Sequence, residues 1–382
     1  MTRVVVNPEM LRWARVRSRV DAADLAIRFP KLDEWERAER LPTLKQLESY
    51  ARATMTPIGF MFLPQPPEER LPIPDFRTMR DHGLARPSPN LLETIYLCQQ
   101  RQAWYREHAQ LNGLAPVEFV GTVTIQSNVQ ATAGHISHAL GFDIDARRDA
   151  ANWEEALRQF IADADGLGIM VMCSGVVLNN NHRKLDPEEF RGFAMADALA
   201  PLVFINGADS KSAQMFTLAH ELAHLWLGQS ALSNSDAAAD DAKAEERWCN
   251  RVAAELLVPQ ESIRSELRRG ESLDAAKQRL ASRFKVSTLV VLRRMFDVNA
   301  ISRNTFWDAY HGELARLRAI RRVSGGGDFY LSQAARVSKR FARALVESTL
   351  EGRTLYRDAM RMLGISKVET FNELGRSLRF PV

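Results

Sequence analysis

The sequence predicts an α+β fold that is mostly helical, with a small sheet in the middle of the chain. Three observations carry this. Apolar residues recur at helical spacing over the first sixty or so residues and almost without a break from Ser212 onward. Short β-rich runs lie between positions 117 and 205. A proline-rich stretch, Leu63-Pro64-Gln65-Pro66-Pro67 and then Leu71-Pro72-Ile73-Pro74, separates the first helices from the rest as a stiff, extended linker. At 382 residues the chain is too long for one small domain. The expected division is a helical module over 1–63, a linker over 64–80, a central domain over 81–303 and a helical C-terminal region over 304–382.

Each element has a local cause. Pro8 to Arg17 places Leu11 and Ala14 on one side, with Trp13 near it, and Ala23 to Phe29 and Leu32 to Glu36 are two shorter helices. Thr43 is a cap for a helix marked by Leu44, Leu47, Ala51 and Met55, which Pro57 ends. Residues 88–112 form a longer helix with Leu91, Ile95, Cys98, Gln102 and Tyr105 on one side. Val117 to Ile125, Gly168 to Cys173 with Val176 to Leu178, and Leu202 to Ile205 read as strands, and a helix spans Trp153 to Ala164. Gly325-Gly326-Gly327 lacks the spacing of a phosphate cradle and reads as a turn, and Asn234 to Ala244 reads as an exposed loop.

Composition narrows the class. With 46% hydrophobic and 26% charged residues, the chain is an ordinary globular protein. It has no apolar run long enough to span a membrane, and its N-terminus is too short of apolar residues for a signal peptide. Three scattered cysteines, Cys98, Cys173 and Cys249, give no disulfide framework, so a reducing cytoplasm is expected. Of the net charge of +4, residues 301–382 hold +7 and the remainder −3, which makes the C-terminal region either a solvated arginine-rich surface or a face for nucleic acid or an acidic protein.

The most informative segment is Phe216-Thr217-Leu218-Ala219-His220-Glu221-Leu222-Ala223-His224-Leu225-Trp226-Leu227-Gly228. On a helix, His220 and His224 lie one turn apart on the same face and can point their ring nitrogens at one ion. Glu221 is turned roughly 100° away, where its carboxylate reaches a water beside the ion more readily than the ion itself. Leu218, Leu222, Leu225 and Trp226 make the helix apolar nearly all round, so it should be buried. Two buried histidines beside a buried glutamate are costly unless something pairs them, and Zn²⁺ would do so. A third ligand is needed. The helix Ala244 to Leu257 buries Trp248, Cys249, Val252, Ala253, Leu256 and Leu257, and both Glu245 and Glu246 stand at the edges of that face. Spacing does not choose between them, and Cys249 reads as a small core residue.

His220-Glu221-Leu222-Ala223-His224 together with Glu246-Arg247-Trp248-Cys249-Asn250-Arg251-Val252-Ala253-Ala254-Glu255-Leu256-Leu257-Val258-Pro259 resembles the ImmA/IrrE family of metallopeptidases, with Cys249 and Val252 where alanine and phenylalanine are usual. The resemblance covers roughly residues 115–300. It implies a zincin-like domain with a small sheet, Glu246 as the third zinc ligand and Glu221 as the general base of peptide hydrolysis. An oxyanion donor is also implied, for which His135, His138, His182 and Tyr310 are candidates that the residues do not separate.

Residues 8–62 resemble a helix-turn-helix bundle of the XRE class through Asp24-Leu25-Ala26, Leu32-Asp33-Glu34-Trp35-Glu36 and Arg40-Leu41-Pro42-Thr43-Leu44-Lys45-Gln46-Leu47. The segments 29–36 and 71–78 look typical of chains that join this module to an ImmA/IrrE domain. Such chains resemble members of toxin–antitoxin pairs. In the would-be recognition helix Asp33, Glu34 and Glu36 oppose approach to phosphates, and Trp35 reads as core. The module therefore either binds DNA or docks a protein. The resemblance implies a zinc endopeptidase that cuts a repressor or other regulatory protein in a stress or mobile-element response. The alternative is an antitoxin or transcriptional regulator, bound to DNA or a toxin, whose zinc site is structural or vestigial.

Overall fold

The computed structural model describes residues 2–75, 86–142, 144–233, 243–319 and 335–380. The glycine run 325–327, most of the loop 234–244 and residues 76–78 lie outside them. The chain divides into two compact units, Met1–Pro72 with His82–Tyr96, and Ile73–Asp81 with Leu97–Val382.

In the first unit, α1 (Pro8–Ser18) starts where the Asn7 side chain accepts from the Glu9 N–H and Pro8 presets the first turn. Asp21 caps α2 (Ala22–Arg28) in the same way, and α3 (Leu32–Glu36) follows. Thr43 and Gln46 form a reciprocal capping box on α4 (Leu44–Ala53). Met10, Leu11, Ala14, Leu25, Trp35, Leu47 and Tyr50 close the core. The Tyr50 ring stands edge-on to Phe29 and Trp35, and its hydroxyl donates to the Leu11 carbonyl at 2.8 Å.

α5 (Pro89–Leu111) begins in the first unit and continues into the second. The second unit then adds α6 (Val129–Leu140), α7 (Ile144–Arg148), α8 (Trp153–Gly166), β1 (Met170–Ser174), β2 (Gly192–Met195), β3 (Leu202–Asn206), α9 (Lys211–Leu227), β4 (Ala231–Ser233), α10 (Ala244–Leu257), α11 (Gln260–Glu266), α12 (Leu273–Phe284), α13 (Thr288–Asp297) and α14 (Arg303–Ala319). Among the described residues, the helices Lys339–Leu350, Tyr356–Leu363 and Val368–Ser377 follow. The sheet order is β1-β3-β2-β4, with β1 parallel to β3 and the other pairs antiparallel. β2, β3 and β4 are buried throughout. The fold is thus α+β and mostly α, as the patterning predicts. No helix among the described residues is long and apolar enough to cross a membrane.

Two strand expectations are corrected. Residues 117–125 form a loop, because their N–H groups serve other carbonyls: Gly121 donates to Leu225 at 3.2 Å and Val123 to Trp226 at 3.2 Å, at the C-terminal end of α9. That end carries carbonyls with no partner inside the helix. The close approach needs glycines, since a Cβ on Gly228 would stand 2.8 Å from the Gly121 Cα. Of Val176–Leu178, only Val176 pairs, in an isolated bridge with Lys184, and Leu178 turns away with φ 52°. Conversely, β2 and β4 are too short to show a periodicity of their own.

Candidate metal centre

α9 carries the first two donors. Ser210 caps it by accepting from the Ala213 N–H, and Gly228 closes it in the left-handed region at φ 70°. Every residue from Gln214 to Trp226 is buried, so the helix runs through the core. His220 and His224 thereby project from one face with no exposure to solvent. α10 packs against α9 and buries Trp248, Cys249, Val252, Ala253, Leu256 and Leu257. Its first turn brings in Glu246, which is 3% exposed, whereas Glu245 is half-buried and stands outside the donor group.

The three side chains converge. His220 Nε2 and His224 Nε2 lie 3.1 Å apart, Glu246 Oε1 lies 2.9 Å from His224 Nε2, and Glu246 Oε2 lies 3.2 Å from His220 Nε2. Ligands held about 2.0–2.2 Å from a tetrahedral zinc stand roughly 3.3–3.6 Å from one another, so these separations are only slightly tighter. Two imidazole nitrogens and a carboxylate facing one point form a donor set suited to a divalent transition metal, zinc foremost. The residues present therefore fit the ion.

Ser233, the last residue of β4, sits beside this group. Its hydroxyl donates to Glu246 Oε1 at 3.4 Å and lies 3.5 Å from His224 Nε2. Glu221 is fully buried, and neither carboxylate oxygen meets good hydrogen-bond geometry with a described group. Burial pushes its carboxyl well above the usual range, the neighbouring Glu246 charge adds to this, and a weak Ser233 contact opposes it. Burial also works against the Glu246 carboxylate, but His220 and His224 together hold it far below the ordinary value. Burial lowers the His224 pKa, with Glu246 offsetting part of the effect. Gly192 on β2 makes the space. A Cβ there would stand 2.5 Å from Thr217 Cγ2, 2.9 Å from the Phe204 carbonyl and 3.1 Å from Glu221 Oε1.

The remaining candidates are not among the converging donors. Cys249 is a core residue whose thiol burial pushes well above its ordinary range. His135, His138 and His182 are exposed, and Tyr310 packs with Leu292 and Phe306 in a separate cluster. Ser233 and Gly192 had no signal in the sequence, because a lone serine and a lone glycine match no spacing rule.

No curated protein matches the chain. Residues 337–377 match a domain of unknown function, DUF8813. Residues 164–296, which carry His220, Glu221, His224 and Glu246, match the family model of the IrrE N-terminal-like domain (Peptidase_M78), to which this segment is similar.

Proposed function

We propose that the chain is a zinc-dependent endopeptidase-like regulator that cleaves a specific regulatory protein, such as a repressor, in a cytoplasmic stress, mobile-element or toxin–antitoxin response. One observation carries the reading: a buried carboxylate without a good partner, Glu221, stands next to a converging His220–His224–Glu246 donor set. The M78 match to the surrounding segment supports it.

Zinc bound there supplies Lewis acidity toward a water and a peptide carbonyl. His220, His224 and Glu246 hold the ion, and Ser233 orients Glu246 through its hydroxyl. Glu221 takes the proton of the attacking water on a carboxylate oxygen and passes it to the leaving amine. The apolar walls of α9 and α10 keep other water away.

The test is a pull-down with zinc-loaded Glu221→Gln protein, followed by incubation of each captured protein with the wild type. Cleavage of a captured protein by the wild type, and not by the variant, is expected. A variant that matches the wild type in every assay would rule out catalysis as the function.

The alternative is an antitoxin or regulator with a structural zinc site. In either reading the N-terminal unit binds DNA or docks a protein. Asp33 is exposed and Glu34 half-buried on the five-residue α3, while Glu36 is spent inside the unit on Arg15 at 2.8 Å. Anisotropy titration with duplex DNA at low salt separates the two, and tight sequence-dependent binding would assign the DNA role.

A further inference from the structure

β4 ends the sheet, and its outer edge is occupied by a piece of the chain itself. Asp75 pairs with Leu232 in a parallel bridge, and the Leu232 N–H donates to the Pro74 carbonyl at 2.9 Å. The Lys243 ammonium donates to the Asp75 carbonyl at 3.1 Å, just before α10 begins. Ile73 is buried. The next residue of β4 after Leu232 is Ser233, whose hydroxyl touches Glu246 and His224. The strap 73–75 therefore covers the stretch of sheet edge that leads to the donor group.

An unpaired strand edge is a template on which an extended peptide adds as a further strand, through main-chain hydrogen bonds. A protein segment seated on β4 would run past Ser233 and present its backbone to Glu221. The strap is a poor occupant of the same edge. Pro72 and Pro74 have no N–H to give, so a substrate with an amide at each position can form more ladder bonds than the strap does.

We propose that residues 73–75 are a displaceable internal strand that blocks the peptide-docking edge of β4, and that the site takes an extended protein segment only when Ile73, Pro74 and Asp75 leave it. The inference rests on the peptidase reading for what the docked segment undergoes, but not for the docking itself.

The test uses the full chain loaded with zinc. Ile73→Asp puts a carboxylate into a buried position and releases the strap. Lys243→Met removes the hydrogen bond to the Asp75 carbonyl without placing a charge in the core, and serves as the milder variant should Ile73→Asp disturb the fold. In the Glu221→Gln background, the Leu232 amide should exchange with solvent about tenfold faster or more after release, since it loses its partner. Dye-labelled β-casein, an unfolded chain, should bind at least about tenfold more tightly, because ordering the edge no longer requires expelling the strap. Unchanged Leu232 exchange in both variants, or faster exchange with unchanged casein affinity, overturns the proposal. Casein cleavage by the same variants with Glu221 intact reads the peptidase separately. Tighter binding without cleavage would count against the peptidase and leave the blocked edge standing. Wild-type cleavage as fast as that of the released variant, with Leu232 still protected, would do the reverse.

Discussion

His224 Nε2 and Glu246 Oε1 lie 2.9 Å apart although they are 22 positions apart in the chain. The contact ties α9 to α10 inside the core, and it is the point where the donor set becomes three rather than two. Replacing Glu246 by alanine should therefore remove a ligand. Loss of an outer partner of a metal ligand already costs about 10–100-fold in affinity, so loss of the ligand itself should cost on the order of 100-fold or more. Glu245→Ala should leave affinity within a few fold. Zinc titration against a competing chelator measures both, and equal affinities for the two variants would remove Glu246 from the site.

Glu221 makes the metal-free protein sensitive to pH. Its carboxyl is raised in the folded state by burial first and by Glu246 second. The unfolded chain therefore gives up this proton at a lower pH than the folded one, and the protonated carboxyl is what the fold tolerates. Its contribution is fully present below the ordinary carboxylate pKa and is lost as pH rises toward the raised value. Glu221→Gln, which cannot ionise, should stabilise the metal-free protein at pH 7–8 by about 1.4 kcal/mol for each unit of the shift expressed there. The gain should vanish near pH 4. Urea unfolding at several pH values in the presence of chelator decides it, and a gain independent of pH would contradict the account.

Much of this site is legible in the sequence, and the reason is geometric. His220, Glu221 and His224 lie within one helical turn or so, where sequence spacing is spatial spacing, and the apolar residues around them foretell burial. Glu246 is different. The pattern of α10 offers Glu245 and Glu246 alike at the edge of its buried face, and only the packing of α10 on α9 separates a half-buried side chain from one that is 3% exposed. Ser233 and Gly192 reach the site through strand pairing, and register between short strands leaves no trace in residue spacing. The loop 117–125 misleads for a related cause. Its apolar residues pack on the core as a strand's would, while its amides serve the end of a helix.

Gly192 is the narrowest point of this arrangement. A methyl group there would collide with Thr217 Cγ2 at 2.5 Å and with the Phe204 carbonyl at 2.9 Å, and the second of these is backbone that pairs β3 to β2. Relief requires the Thr217 turn of α9 to move away from the sheet and the β2–β3 pairing to shift as well. Gly192→Ala should cost about 1–3 kcal/mol, the usual range for overpacking. It should also weaken zinc binding, because the Glu221 turn of α9 shifts with it. Denaturant midpoints and chelator titration on the same sample test the pair, and a variant as stable as the wild type with full affinity would show that the strand and helix have slack.

The C-terminal helices are held as part of the second unit, and this has a consequence for the region that matches DUF8813. Phe341 is fully buried, with its ring edge-on to Trp104 at 5.5 Å. Arg340 donates to the Asp165 carbonyl at 2.7 Å, the Arg101 guanidinium donates to the Met362 carbonyl at 3.0 Å, and Asn179 donates to the Gly364 carbonyl at 2.7 Å. These bonds tie residues 340–364 to α5, to the end of α8 and to the turn after β1. Phe341→Ala opens a cavity between this layer and α5 and should cost about 3–5 kcal/mol in the stability of the whole unit. If the layer is integral, amide exchange within residues 339–377 and zinc release should follow one unfolding transition at a lower denaturant concentration than in the wild type. Two separate transitions, with zinc retained after the first, would show instead that residues 337–377 fold and unfold independently of the metal-bearing core.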